Sequence, residues 1–459
     1  MPYTEWRGTF CRVRWKTGRR KPDGTPEYDS KSGFTTEEAA YNYGLDRESD
    51  VRNARYISRR DGNIYMSEYC PGWLKTQDVG HLRWRQIEQI VRLYIVEYWG
   101  NYTVGDITAS DYRAWVLHLK GLPNVGEAYA REILLVFSMI MDDLVDDSMR
   151  STSPVKKKTK RGKYRKKPRE RKQDTLMEDV HQLALNGLTF WGFPGYVFFL
   201  TKPFTCMRPG ELYALHRNYC HPNWPASDPD DDQRKEGLAR YGDTDLAVLR
   251  VQQQFQREFG KGPVKLFPPK YDSYRNLVLP TFLAELHTVL LGSHDGPWMF
   301  PAISGGLLAN ANFSYYYWKP ISQGRSKNEE FTRVRLGQEQ VVTSRRPLSE
   351  IPATAFAGRR MYLLRHGGKE WLDEDGHSRI AVETRMGHEL AGVEGLYSHV
   401  TLEMERAIAD SLQKRWLRFM ARTGGTFKFS SPTPLPFDLE EWWKQQVKAA
   451  EALERSTGS

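Results

Sequence analysis

Between residues 151 and 175 the chain reads STSPVKKKTKRGKYRKKPRERKQDT, and no core can form from such a stretch. Twelve Lys and Arg stand there against Glu170 and Asp174, with almost nothing apolar to bury. The segment is therefore expected to be extended and solvated, and to divide the chain into parts that fold separately. It also carries the whole charge excess. The chain has 67 Lys and Arg against 57 Asp and Glu, a net charge of +10, and outside this stretch the two signs balance. A basic footprint is compatible with nucleic-acid binding, but here it is local. Such runs are usually solvated tethers, and nuclear targeting is another generic reading. Because this one joins two folded parts, a cationic linker lying along phosphates is the sharper expectation, with Lys156, Lys157, Lys158, Lys160, Arg161 and Lys163 as DNA contacts.

A chain of 459 residues implies two to four domains, and 39% hydrophobic residues, rich in aromatics, are enough for several cores. No apolar run is long enough to span a bilayer. The opening MPYTEWRGTFCRVRW lacks the apolar centre of a signal peptide, so a cytoplasmic, nucleoid-associated protein without membrane contact is expected. Cys11, Cys70, Cys206 and Cys220 are scattered. His216 and His221 flank Cys220, but at no common zinc spacing. Buried thiols are expected, and no metal or other cofactor.

Around the basic segment the pattern changes character several times. In residues 1–62, Arg12 and Arg14 alternate with Cys11, Val13 and Trp15, which predicts a strand with a basic face. Lys21-Pro22-Asp23-Gly24 has turn chemistry and residues 28–34 suit a second strand. Thr35 or Thr36 then caps a helix with acidic residues in its first turn. Residues 63–150 read as an all-α bundle, with Ile87, Ile90, Val91, Tyr94 and Ile95 on one face and Thr108–Asp111 as a capping-box start. Residues 151–173 form the linker and 174–425 the largest domain, mainly helical with strands near 247–254 and 277–279. An acidic stretch near 227–233 and a polar one at 322–352 interrupt it, and 426–459 forms a tail with Trp442 and Trp443. The fold class expected is multidomain and mainly α with small β elements.

Several conventional sites are absent: there is no P-loop, no HExxH, no GxSxG elbow and no Gly-rich dinucleotide turn. The run Asp228-Pro229-Asp230-Asp231-Asp232 reads as a solvated loop rather than a cation site. What remains is basic and aromatic. Arg208 in TCMRPGELYAL stands at a helix entrance, where its donor fork would add to exposed backbone N–H groups as an anion site. The bland reading is an Arg208–Glu211 surface pair. Further on, LLRHGGKEWLDEDGHSRIAVETRMGHELAGVEGLYSHV contains Arg365-His366, then His388 23 residues after Arg365, then Tyr397 nine residues after His388.

That spacing resembles the C-terminal signature of the tyrosine recombinases, specifically the integrases of phages and integrative elements, which reads LRH…LGH…Y. Arg208 in MRPGEL resembles the family's first arginine box, and Lys270 in PPKYDSYRNLVLP resembles the lysine on the turn of its β-hairpin, with Lys265 and Lys261 as the alternatives. Tyr362 stands where the family most often has His, three residues before Arg365. By architecture the chain is similar to integrases that bind two kinds of DNA site. The resemblance implies an arm-type DNA-binding module in 1–62, using Arg12 and Arg14, a core-site DNA-binding domain in 63–150 and a catalytic domain in 174–425.

The resemblance also implies roles. Tyr397 attacks the scissile phosphate and leaves a 3′-phosphotyrosyl link; Arg208 and Arg365 hold the non-bridging oxygens; His388 bonds the phosphate and helps steer the tyrosine's proton. Lys270 protonates the departing 5′ oxygen and Tyr362 adds a hydrogen bond to the phosphate. Neither metal nor ATP is required. The implied partners are double-stranded attachment sites, a homotetramer assembled on DNA, and a directionality factor. The helix after Tyr397, or the tail, would dock on a neighbouring protomer. The competing readings are a resolvase or topoisomerase-like enzyme of the same chemistry, and a catalytically silent DNA-binding protein.

Overall fold

A computed structural model of the chain describes residues 1–52, 62–155, 174–257, 263–327, 330–335, 338–343, 349–389 and 399–457. The chain divides into two compact units, Met1–Pro168 and Arg169–Ser459, and the boundary falls inside the basic segment. Both are mainly helical with small antiparallel sheets. No helix among the described residues is long and apolar enough to cross a membrane.

The first unit opens with a three-stranded antiparallel sheet, β1 (Tyr3–Arg7), β2 (Phe10–Arg20) and β3 (Pro26–Phe34), in that order. Alternation along β2 sends Cys11, Val13 and Trp15 into a small core with Ala40 of helix α1 (Glu37–Arg52). Thr36 caps that helix, its hydroxyl accepting from the Ala39 N–H. Arg12 and Arg14 lie on the opposite face, as expected. Each has a neighbour there: Arg12 bonds Ser30 Oγ at 2.7 Å and Arg14 sits 5.6 Å over the Tyr28 ring. The all-α part comprises α2 (Met66–Lys75), α3 (His81–Ile90), α4 (Ala109–Gly121) and α5 (Glu127–Asp146). Thr108 and Asp111 cap α4 reciprocally, and Trp99, Trp115 and Phe137 meet at the centre of this second core.

The second unit is built on the hairpin of α6 (Met177–Trp191) and α7 (Phe193–Thr205), the first largely and the second almost wholly buried. The acidic run is no solvated loop. Asp228 is buried and accepts the Trp224 indole N–H, while Asp230 caps helix α8 (Asp231–Tyr241). Like charges are tolerated there because a helix N-terminus offers N–H groups and a favourable dipole. Strands β4 (Val248–Val251) and β7 (Arg275–Val278) pair antiparallel, and a second hairpin, β5 (Gln254–Arg257) with β6 (Val264–Phe267), is inserted in the chain joining them. A further two-stranded hairpin, β8 (Glu330–Arg335) with β9 (Gln338–Thr343), occupies the polar insertion. Helices α9 (Thr281–Gly292), α10 (Leu363–Glu374), α11 (Arg379–Met386), α12 (Leu402–Thr423) and α13 (Leu439–Thr457) follow, with shorter helical segments between Asn310 and Gln323 and at Pro209–Tyr213. All four cysteines are buried free thiols.

Helix α13 belongs to the same core. Trp443 is buried and its indole N–H donates to Tyr196 Oη at 2.9 Å, and Trp442 donates to Glu285 at 2.8 Å. Tyr196 therefore turns its own hydrogen to His181 Nε2, 3.1 Å away. Burial pushes His181 from its ordinary 6.5 to about 3, so the ring is neutral in the fold. An unfolded chain binds a proton between those values that the fold rejects. This contribution is present above pH 6.5 and is lost as pH falls toward 3. His181→Gln, which cannot titrate, is expected to flatten the acid side of a plot of Tm against pH. An unchanged slope would place the acid sensitivity elsewhere.

Candidate active site

The site forms where three chain segments meet the C-terminal end of α11. That helix stops at Gly387, whose φ of +66° is left-handed. Gly387 N–H bonds the Thr384 carbonyl at 2.9 Å and His388 N–H bonds the Glu383 carbonyl at 3.0 Å, a Schellman closure that puts His388 at its second outer position. Closure leaves the next three carbonyls without helical partners. Each is taken by a different arginine: Arg275 Nε bonds Arg385 O at 2.9 Å, Arg365 Nη2 bonds Met386 O, and Arg208 Nη2 bonds Gly387 O at 2.8 Å. A side chain at Gly387 would be strained by its φ, and its Cβ would stand 2.8 Å from the Arg275 guanidinium.

Local sequence delivers each arginine. Arg208 precedes Pro209 at the start of a five-residue helix, following the left-handed Cys206 at the end of α7. Its own N–H is bonded to Glu211 Oε2 at 2.7 Å. That N–H is therefore spent inside the chain, and the guanidinium is the donor group of Arg208 that faces the site. Arg365 lies in the first turn of α10, which presses on α7 because Gly368 faces it: a Cβ there would lie 2.0 Å from the Pro203 carbonyl. Arg365 is buried, bonded through Nη1 to Cys206 O and through Nη2 to His388 Nε2 at 3.1 Å as well as to Met386 O. His388 is 41% exposed, and its Nδ1 is 2.6 Å from Glu383 Oε2.

The expected Arg208–Glu211 pair exists at 2.9 Å, but it is not a surface pair: Glu211 is fully buried and also takes both terminal nitrogens of Arg275. Burial pushes the Glu211 carboxyl up, but Arg275 and Arg208 overcome this and bring it down to about 2. Its one negative charge is outnumbered. Among the described residues no carboxylate bonds Arg365, Arg385 or Lys202; each donates to backbone carbonyls, and Arg365 also to His388. Burial and then repulsion from Arg208 and Arg275 lower Arg365, and burial and Arg365 push Lys202 down to about 7. The pocket holds positive charge that an anion would compensate.

Lys270 lies in the connection between the paired strands β4 and β7, beyond the inserted hairpin. Its carbonyl accepts from Ser273 Oγ, which in turn accepts from Arg208 Nη1 at 3.0 Å. Its ammonium is 4.7 Å from the centre of the Tyr271 ring. Of its alternatives, Lys265 lies on β6 and Lys261 falls outside the described residues. Tyr362 precedes α10, its carbonyl accepting the Arg365 N–H and its ring edge-on to His366 at 5.0 Å. Tyr397 and the linker residues Lys156, Lys157, Lys158, Lys160, Arg161 and Lys163 lie outside the described residues. Sequence reasoning missed Arg275, Lys202 and Glu383. Arg275 did leave a signal, since it occupies an inward position of β7 in register with Leu277.

No protein-family model matches the chain, and no curated protein does. Solved structures do. The Tn1549 transposon integrase, residues 82-397, in complex with a circular intermediate DNA is similar to the chain at 13% identity, over 76% of this chain and 99% of that one, with a TM-score of 0.47. A lambda integrase tetramer bound to a Holliday junction is similar at 11% identity, over 85% and 93%, with a TM-score of 0.44. A lambda integrase dimer bound to a COC′ core site is similar at 10% identity, over 94% and 97%, with a TM-score of 0.42.

Proposed function

We propose that the chain is a site-specific DNA recombinase of the tyrosine type, an integrase that cleaves and rejoins DNA through a 3′-phosphotyrosyl intermediate to move a mobile element. The observation that carries this reading is the convergence of Arg208, Arg365 and His388 on one helix end, with positive charge that Glu211 does not balance. A phosphodiester supplies the missing negative charge. The guanidiniums then hold its non-bridging oxygens where charge gathers in the transition state, the task a divalent cation performs in other nucleases.

The phenol oxygen of Tyr397 forms the new bond to phosphorus as the bond to the 5′ oxygen breaks, and Lys270 gives the leaving oxygen its proton. The phenol's proton leaves by way of His388. A 5′ hydroxyl from a partner strand reverses the step, so the bond energy is retained without ATP. Residues 1–62 would take arm sites, 63–150 core sites, and the linker the phosphates between, with four copies assembling on paired duplexes and a directionality factor biasing the outcome.

The test is a nicked suicide substrate carrying a candidate attachment site, incubated in excess chelator without nucleotide. A detergent-resistant protein–DNA adduct is expected. Tight binding without an adduct would make the chain a silent DNA-binding protein, and an adduct that forms only with Mg²⁺ would overturn the metal-free mechanism.

A further inference from the structure

Glu383 has no place in the steps above, yet it is bonded to the one ring that must pass a proton. We propose that Glu383, oriented by Lys369, is a positioning residue that sets the tautomer of His388; its catalytic consequence rests on the recombinase reading.

The Schellman closure forces the two side chains together, because Glu383 and His388 are the residues joined by its outer hydrogen bond. Glu383 Oε2 lies 2.6 Å from His388 Nδ1 and Oε1 lies 2.9 Å from Lys369 Nζ, while Lys369 also reaches Asp373 at 3.5 Å. Burial pushes the Glu383 carboxyl up, but the hydrogen bonds from Lys369 and His388 outweigh it and hold the group below the ordinary range. A carboxylate only accepts, so Nδ1 carries the hydrogen. A guanidinium only donates, so Nε2 offers its lone pair toward Arg365 Nη2 at 3.1 Å. Once a bound phosphate draws the Arg365 donor away, that lone pair on Nε2 is free to take the phenol's proton, and the carboxylate behind Nδ1 steadies the cation that results.

Lys369 makes this arrangement directional. In Glu383→Gln the side-chain carbonyl is claimed by Lys369, which has no acceptor, and the amide NH2 is left facing Nδ1. The ring must then shift its hydrogen to Nε2, where it opposes the Arg365 donor. Removing the ammonium as well, in Glu383→Gln with Lys369→Met, frees the amide to turn its carbonyl to His388 and restore the first tautomer.

The test uses the full chain with 15N-labelled histidine, at a pH where the ring is neutral, with His388→Asn assigning the signal among the 11 histidines. The expected spectra show Nδ1–H in wild type, Nε2–H in Glu383→Gln and Nδ1–H again in the double variant. Cleavage of the suicide substrate should fall about tenfold to a hundredfold in the single variant, with DNA affinity unchanged, and recover in the double. An unchanged tautomer in Glu383→Gln overturns the proposal. An inverted tautomer with wild-type cleavage overturns the positioning role and leaves the recombinase reading standing. If wild type forms no adduct, that reading has failed, and the spectra alone decide whether Glu383 and Lys369 set the ring.

Discussion

In the Tyr397→Phe variant the covalent protein–DNA adduct is expected to disappear while DNA affinity stays where it was. The substitution removes one oxygen and keeps the ring, so binding surface and packing change little. On the proposed mechanism the chemistry loses the atom that bonds phosphorus, and no rearrangement of Arg208, Arg365 or His388 would replace it. A phenol is a poor nucleophile at neutral pH, with an ordinary pKa near 10. In the proposed mechanism its attack would depend on the positive pocket drawing in the phosphate and on His388 Nε2 receiving the proton. The measurement is adduct formation on a suicide substrate beside a binding titration on the same DNA. An adduct that persists would move the nucleophile elsewhere. Tyr271, 72% exposed beside Lys270, and Tyr362, next to Arg365, would be tested first.

The contrast between what was legible and what was not follows sequence separation. The strand of Arg12 and Arg14, the Thr108 cap and the spacing from Arg365 to His388 are local patterns, and each was found where its period or turn chemistry put it. Glu211 was visible only as a partner for Arg208 three residues away. Its burial depends on Arg275, 64 residues on, which no local pattern joins to it. The acidic run misled because like charge argues for solvation, whereas Trp224 and a helix start give Asp228 and Asp230 specific work. The tail was read as a separate segment that could dock on a neighbouring protomer, yet Trp443 donates to Tyr196, 247 residues earlier. The β5–β6 hairpin is short and polar enough to read as loop.

On the proposed mechanism, Arg365 and Tyr362 should separate sharply in a kinetic series. Arg365→Ala is expected to slow single-turnover cleavage on the order of a hundredfold or more, the cost of removing a donor aimed at transition-state charge. Tyr362→Phe removes at most one hydrogen bond to the phosphate and should cost ~1 kcal/mol, or several-fold. Arg365 also holds the carbonyls of Cys206 and Met386 and the ring of His388 in a buried setting, so its loss threatens the fold as well. Arg208→Ala separates the two effects. Arg208 is 12% exposed, and Arg275 still holds Glu211 when it is gone. Arg208→Ala should therefore keep a near wild-type Tm while losing cleavage on the scale of Arg365→Ala. Arg365→Lys keeps the charge but loses the planar fork that reaches two carbonyls and a ring at once, so it should rescue little. If Arg208→Ala cleaved normally, the arginines would be props for the helix end and the phosphate would bind elsewhere. If Tyr362→Phe proved as inactive as Tyr397→Phe, position 362 would be essential rather than supporting.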